Sequence, residues 1–207
     1  TTMDASDKSI RELNEIAGGD YWQPVIRAYK NGEINGYDAE SKFAEQYCKH
    51  LMQGYTYVLN MPMRIKKGQR PKYRMVHATN HRDGCLLMVD NICNRWEALQ
   101  EIQSGGQLML WAENFDNQAV ADDDIGDKVI EHFSQYSDWI SLHDALAMFF
   151  VNHGPICSTG DVKKILKNLD CEKRLAVQRT PGVKKNGTPT TFMTEGKGQA
   201  VSVRWMK

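Results

Sequence analysis

Three absences narrow the functional classes of this 207-residue chain. No run of eighteen apolar residues occurs, so the sequence predicts no membrane-spanning helix and no membrane partner. Residues 1–16 are charged and polar and lack the apolar core of a secretory signal peptide. No predicted strand leads into a glycine-rich nucleotide-binding loop, because Gly18-Gly19 follows a predicted helix. The sequence therefore predicts no cofactor and assigns no catalytic residue, and whether the protein is an enzyme stays open.

Cysteine is present, but never at the spacing of a metal site or a redox pair. An odd number of isolated cysteines indicates reduced thiols, as in a cytoplasmic protein. We therefore predict a cytoplasmic location and expect the thiols to be small buried groups. The five residues are Cys48, Cys85, Cys93, Cys157 and Cys171.

Two further stretches have the composition of a metal site without its spacing. His77 and His81 are four residues apart near Asp83, but the first lies in a predicted strand and the second in a loop, so they share no helical face. The acidic run 122–124 lacks the alternating ligands of a calcium loop. The sequence therefore predicts no metal.

Positive charge is concentrated at the end of the chain, although the whole chain is neutral. Residues 155–207 contain eleven Lys or Arg against four acids, a balance of +7, and the remainder carries −7. Such asymmetry usually means that the basic segment meets a polyanion. The alternative is that two oppositely charged domains simply attract each other.

The overall prediction is an α+β protein whose first part, 1–112, forms an α+β domain. Apolar residues at helical spacing predict short helices within 4–17, within 21–29 and from 38 onward. Turn signals such as Asn-Gly separate them.

The rest of this first domain contains strands. The segments 55–65 and 72–79 are rich in β-formers and predict an antiparallel hairpin. A helix over 83–103 follows, and a short apolar strand over 108–112. The polar, acidic stretch 113–124 is predicted to be the interdomain linker.

The second domain, 125–207, is predicted to be a winged helix-turn-helix. A first helix covers 125–133, and Ser141 is a predicted cap for a second helix. Ser158 and Asp161 have capping-box spacing and begin a third helix, which runs to about Leu169.

A basic hairpin completes this predicted domain. One strand covers 175–180, and its return is predicted from 190–194 together with 200–205. A winged helix-turn-helix commonly inserts the second helix of the turn into the major groove, while Lys and Arg contact phosphates. We therefore predict a nucleic-acid interface, with DNA favoured over RNA. Its residues are Ser158, Thr159, Lys163, Lys164, Lys167, Asn168, Arg179, Lys184 and Lys185.

This interface has an alternative interpretation. Many winged helices are protein–protein docking modules, and the lysines would then only solvate an exposed helix face.

A second candidate is a polar rim at the end of a strand, where open sheets bind ligands. Its alternative is an internally bonded turn before a helix. The rim residues are Thr79, Asn80, His81 and Arg82.

Three stretches resemble the three-Cys-motif partner family. Gly19-Asp20-Tyr21-Trp22 is similar to a G-x-x-W of that family, and the run from Tyr47 to Val58 continues the likeness. The clearest part is 73–88, which resembles Y-x-L-x-x-A-T-x-H-x-x-G-x-x-x-M. The resemblance implies a GMT-like winged helix-turn-helix at the C-terminus. It also implies that 1–112 corresponds to the C-terminal portion of a methyltransferase-like domain, whose N-terminal part is missing.

The resemblance also implies a function. The expected role is a nucleic-acid-binding accessory or targeting part of a methyltransferase-like modifying system, with a three-Cys-motif protein as a possible partner. One alternative is a catalytic fragment of an S-adenosylmethionine-dependent methyltransferase. Another is a protein adaptor that uses the winged helix to hold a partner.

Overall fold

The computed structural model describes residues 5–63, 73–103 and 122–206. Within them the chain is a mixed α+β protein with seven helices and two small antiparallel sheets. No helix in these ranges is long and apolar enough to cross a membrane. The helices are α1 Ala5–Ala17, α2 Gln23–Lys30, α3 Gly36–Leu51, α4 Arg82–Gln103, α5 Asp122–Phe133, α6 Leu142–His153 and α7 Thr159–Cys171. The strands are β1 Tyr57–Met63, β2 Tyr73–Thr79, β3 Ile140–Ser141, β4 Leu175–Thr180 and β5 Ala200–Trp205.

The predicted hairpin is present as β1 and β2, which pair antiparallel with Tyr57 opposite Thr79. One face packs on α3, where Arg74 Nε lies 2.7 Å from Glu40 Oε1. The other face contributes Leu59 to the main core beside α4 and α6. Because both faces are covered, nearly every described side chain of β1 is buried, and an alternating polar pattern is absent from that strand.

The C-terminal segment combines α5, α6 and α7 with a three-stranded sheet of order β3-β5-β4. Ser141 caps α6 by accepting a hydrogen bond from Asp144 N, and Ser158 forms a capping box with Asp161 at the start of α7. Both predicted caps are confirmed. The two-residue strand β3, where Ile140 pairs with Val203, was not predicted.

The predicted return strand is only partly present. Residues 200–205 form β5, but 190–194 form no strand, so that part of the prediction is wrong. Isolated hydrogen bonds, and not a continuous ladder, hold this segment. Thr190 Oγ1 donates to Pro181 O at 2.8 Å, and the Phe192 carbonyl accepts from Arg179 Nε at 2.9 Å. Because the Arg179 side chain takes the Phe192 carbonyl, that carbonyl is not paired with a neighbouring strand.

A single hydrophobic core joins the elements on both sides of the predicted linker. It includes Leu59 of β1 and Val89 of α4 together with Phe133, Phe149 and Leu166 of the C-terminal helices, all essentially inaccessible to solvent. Of the predicted linker, only 122–124 is described, and it forms the first turn of α5. The predicted strand 108–112 also lies outside the described residues. The division into two domains stays a prediction.

None of the five cysteines is in a disulfide. Four are buried, but Cys171 at the end of α7 is exposed, so the prediction of burial is wrong for it. Burial raises the pKa of Cys85 to about 11 and, with nearby carboxylates adding to the effect, that of Cys157 to about 12. These two thiols are therefore protonated at neutral pH and are poor nucleophiles.

The buried His132 of α5 makes stability depend on pH. Its ring lies among aromatic side chains, with Nε2 3.0 Å from the Ala145 carbonyl oxygen and 3.2 Å from Tyr136 Oη. Burial lowers the pKa of His132, and the nearby His153 lowers it further, although the Ala145 hydrogen bond opposes this. Burial also lowers the pKa of His153, Lys128 lowers it further, and Glu131 raises it.

We expect stability to be fully present above about pH 6.5, where unfolded histidine is neutral, and to fall as the pH drops below it. The unfolded chain then binds protons that folded His132 and His153 take up only at lower pH. Melting temperatures at about pH 7.5 and about pH 5.5 test this. His132→Gln should lower stability at the higher pH and show a smaller further loss at the lower pH. An unchanged pH-dependent loss in that variant would contradict this role of His132.

Candidate nucleic-acid interface

Helix α7 has one buried face and one exposed basic face. Val162 and Leu166 are buried in the core. Lys164, Lys167 and Asn168 are exposed, and their i, i+3, i+4 spacing places them on one side of the helix. The structure therefore brings these three predicted site residues together on solvent-facing surface.

Lys164 has one partner on this face. Its Nζ lies 3.0 Å from Asp161 Oδ1, and both side chains are largely exposed. An exposed pair of this kind contributes about 0–1 kcal/mol. A phosphate can therefore compete for Lys164 at little cost.

Two further exposed lysines, Lys184 and Lys185, lie in the first half of the loop between β4 and β5. We call residues 181–189 the tip loop. An isolated bridge pairs Val183 with Pro189, and Lys184 N donates to Thr188 O at 2.8 Å. The backbone is thus fixed, while the side chains of Lys184 and Lys185 extend into solvent. They are available to an anionic partner.

Arg179, also predicted as a site residue, is instead engaged inside the protein. Its Nη2 lies 2.8 Å from Asp170 Oδ2 near the end of α7, and its Nε donates to Phe192 O. The side chain is largely buried. Arg179 therefore holds β4 against one flank of α7 and is a positioning residue.

The start of α7 is covered by α4. Thr159 N and Oγ1 donate to the carboxylate of Asp90 at 2.9 and 2.8 Å, and Thr159 is buried. Ser158 is occupied in the capping box. Lys163 is half-buried, and burial lowers its pKa while Asp90 and Glu195 oppose that shift.

The nine predicted residues thus fall into two groups. Four are buried or partly buried: Ser158, Thr159, Lys163 and Arg179. Five form an exposed surface, which we call the lysine surface: Lys164, Lys167, Asn168, Lys184 and Lys185.

The predicted polar rim has the bonding of a closed turn. Thr79 Oγ1 accepts from His81 N at 3.1 Å. Asn80 Oδ1 accepts from Thr56 N at 2.8 Å, and its Nδ2 donates to Gly54 O. Asn80 and His81 are exposed, whereas Thr79 and Arg82 are partly buried. These bonds favour the structural alternative over a ligand site.

Arg82, the fourth rim residue, is the centre of a polar network. Its Nη1 donates to Ser141 Oγ and Asp144 Oδ2, both at 2.7 Å, and its Nη2 lies 3.1 Å from Glu195 Oε2. Ser141 Oγ also donates to Glu195, whose side chain is 8% exposed. This network fastens the β2–α4 turn to the start of α6 and to the segment before β5.

Sequence reasoning missed this network because its members are far apart in the chain. One signal was available. Only four acids lie in the basic segment 155–207, and each has a partner: Asp161 in the cap, Asp170 with Arg179, Glu172 with Arg174, and Glu195 with Arg82. An isolated acid in a basic segment is a candidate buried counter-charge.

His143 sits beside the network without a free nitrogen. Its Nδ1 lies 2.8 Å from Asp83 Oδ1, and its Nε2 lies 3.3 Å from Glu195 N, which can only donate. Nε2 must therefore accept, and the hydrogen lies on Nδ1. Neither nitrogen is placed to act as a general base. Among the described residues no group of three His, Cys, Asp or Glu side chains could hold a metal ion.

Removing Arg82 should destabilise the protein. Arg82→Met leaves the buried Glu195 carboxylate without its cation, and we expect a loss of about 1–3 kcal/mol, reduced from the value for a fully buried pair because Arg82 is partly exposed. Glu195→Gln should cost less in the Arg82→Met background than in the wild type. Urea unfolding of the four proteins measures this coupling. Additive losses would contradict the pairing.

No protein-family model, curated protein or solved structure matches this chain. The chemistry of the site therefore comes from its own residues: exposed ammonium groups and one amide on a helix, beside a rigid loop with two more ammonium groups.

Proposed function

We propose that residues 125–206 are a winged helix-turn-helix domain that docks the protein on duplex nucleic acid. The order of elements supports this, because two helices joined by the short turn 154–158 are followed by a hairpin. In this proposal α7 is the recognition helix and the tip loop is the wing. The lysine surface, which places four exposed lysines on these two elements, is the observation that carries the proposal.

The base of the proposed wing contacts the end of α7. Asp170 and Lys163 are seven residues apart, about two helical turns, so they lie on the same flank of α7. Arg179 of β4 contacts Asp170 on that flank. Lys167 lies between Lys163 and Asp170 along the helix and closer to the exposed side. The tip loop begins two residues after Arg179, so in this proposal a duplex in contact with Lys167 also meets the wing.

Helix geometry favours DNA as the duplex. The major groove of B-form DNA admits an α-helix, whereas the corresponding groove of A-form RNA is too narrow for side chains to read. Since α4 covers the start of α7 through Asp90, contact falls on the middle and end of the helix. Lysines there bind phosphates, and Asn168 is the one amide of the lysine surface placed to bond a base. We expect strong salt dependence and weak sequence preference.

The wider role follows the resemblance to the three-Cys-motif partner family. We propose a targeting part of a methyltransferase-like nucleic-acid-modifying system, in which this domain supplies the docking surface. Fluorescence anisotropy with labelled duplex DNA, duplex RNA and single strands tests the docking step at low salt. Tightest binding to duplex DNA supports the proposal. Absence of binding to all of these would assign the surface to a protein partner.

A further inference from the structure

An apolar groove lies among the three N-terminal helices, far along the chain from the lysine surface. Its volume is about 530 Å³. Its walls are almost wholly aliphatic and aromatic, and the one carboxylate in them, Glu40, is already paired with Arg74. The side chains that define it include Leu13, Ile16, Trp22, Ile26, Phe43 and Tyr47.

Helix α1 forms one wall of this groove and leaves its apolar stripe uncovered. Ile10, Leu13 and Ile16 are 37%, 47% and 78% exposed. The helix is fastened at its end, where Ala17 is buried and Asn14 Oδ1 accepts from Trp22 Nε1 at 3.0 Å. A helix of 13 residues is marginal in water without a packed apolar face. A further surface that covers this stripe would stabilise it.

The uncovered apolar area is what a stable dimer needs. Tyr29 and Phe43 line the same groove and are 51% and 36% exposed. With roughly 200 Å² for a fully exposed large side chain, these two and the α1 stripe leave on the order of 500 Å² of apolar surface. Homodimer interfaces are about two-thirds apolar, so an apolar area of this size corresponds to a whole interface of roughly 800 Å² per partner. Stable complexes bury about that area.

The charges around the groove fit a second copy of the same chain. Residues 5–51 contain six Lys or Arg and eight acids, so both signs are interspersed and the net charge is −2. Anionic membranes and nucleic acids select basic faces, which this is not. The face also carries a ridge, Ile16, beside its own cleft, which is what a self-complementary two-fold contact requires.

We propose that the α1–α3 groove is the two-fold interface of a homodimer, in which Leu13 and Ile16 of each copy enter the cleft of the other. The proposal does not depend on the nucleic-acid function, because none of its residues belongs to the lysine surface.

Sedimentation equilibrium of the full chain from about 1 to about 200 µM tests it. The wild type should approach twice the 23.6 kDa chain mass. Ile16→Glu should weaken association at least about thirtyfold, as expected for a central interface residue. The matched control is Leu87→Glu, at a 64% exposed leucine on α4, and it should dimerise like the wild type.

Circular dichroism should show that Ile16→Glu is folded, since its side chain points largely into solvent in one copy. If that variant did not fold, Leu13→Ser, at a half-exposed position, takes its place. A wild type that stays monomeric at the highest concentration would overturn the proposal. So would equal association of Ile16→Glu and the wild type, or equal loss in Leu87→Glu.

Discussion

A protein in which Lys164 and Lys167 are both replaced by Glu should bind duplex DNA at least about tenfold more weakly at low salt, and with less salt dependence. Each lysine that neutralises a phosphate releases counterions, so losing two contacts should reduce the log–log salt slope by roughly 1.8. Both side chains are exposed, so folding stability should change by less than about 0.5 kcal/mol each. A gel-shift salt series on both proteins measures the effect.

The matched control is Lys42→Glu with Lys49→Glu. These two exposed lysines lie on α3, which packs on α2 and the hairpin, and their replacement changes the net charge equally. A decrease confined to the α7 variant assigns the effect to the lysine surface. An equal decrease in both variants would mean that the total charge of the protein, and not the lysine surface, sets the affinity for DNA. Indistinguishable curves for wild type and α7 variant would assign the surface to protein contacts.

Leu59→Ala should destabilise the whole described fold by about 2–5 kcal/mol. Leu59 is 1% exposed and lies on the hairpin, in the core that α4 shares with α6. Removing its methyl groups leaves a cavity whose lining belongs to both halves of the chain. We therefore expect one cooperative transition, shifted as a unit, when urea unfolding is followed by circular dichroism and by tryptophan fluorescence.

Leu87→Ala is the control for this prediction, because it removes the same side chain from an exposed site on α4. Its cost should stay within about 0.5 kcal/mol. Two transitions, of which only one responds to Leu59→Ala, would contradict a shared core and support two independent domains.

Local signals in the sequence predicted much of the C-terminal architecture. A cap acts on amide groups within three residues, so Ser141 and the pair Ser158–Asp161 could be read without knowing the fold. The strand 175–180 was predicted to the residue. The two-residue β3 has no periodicity of its own and exists only because Ile140 meets Val203 of β5.

The candidate site was predicted less well, because exposure depends on tertiary contacts. Lys163 and Lys164 are adjacent and chemically equal, yet one is half-buried near Asp90 and the other is exposed. A difference of about 100° around the helix separates them. The partner of Thr159 lies 69 residues away in the chain, and the partners of Arg82 lie about 60 to 110 residues away. No local sequence pattern contains such pairs. Counting charges identified the basic segment but could not predict which of its residues are exposed.

Lysine footprinting is the most direct test of the proposed docking surface. The protein is acetylated with a lysine-reactive reagent in the presence and absence of duplex DNA at low salt, and each site is quantified by mass spectrometry. We predict that Lys164, Lys167, Lys184 and Lys185 are protected together, while Lys42 on α3 reacts equally in both samples. Protection of Lys42 to the same extent, or DNA binding that leaves the four lysines fully reactive, would contradict the proposed interface.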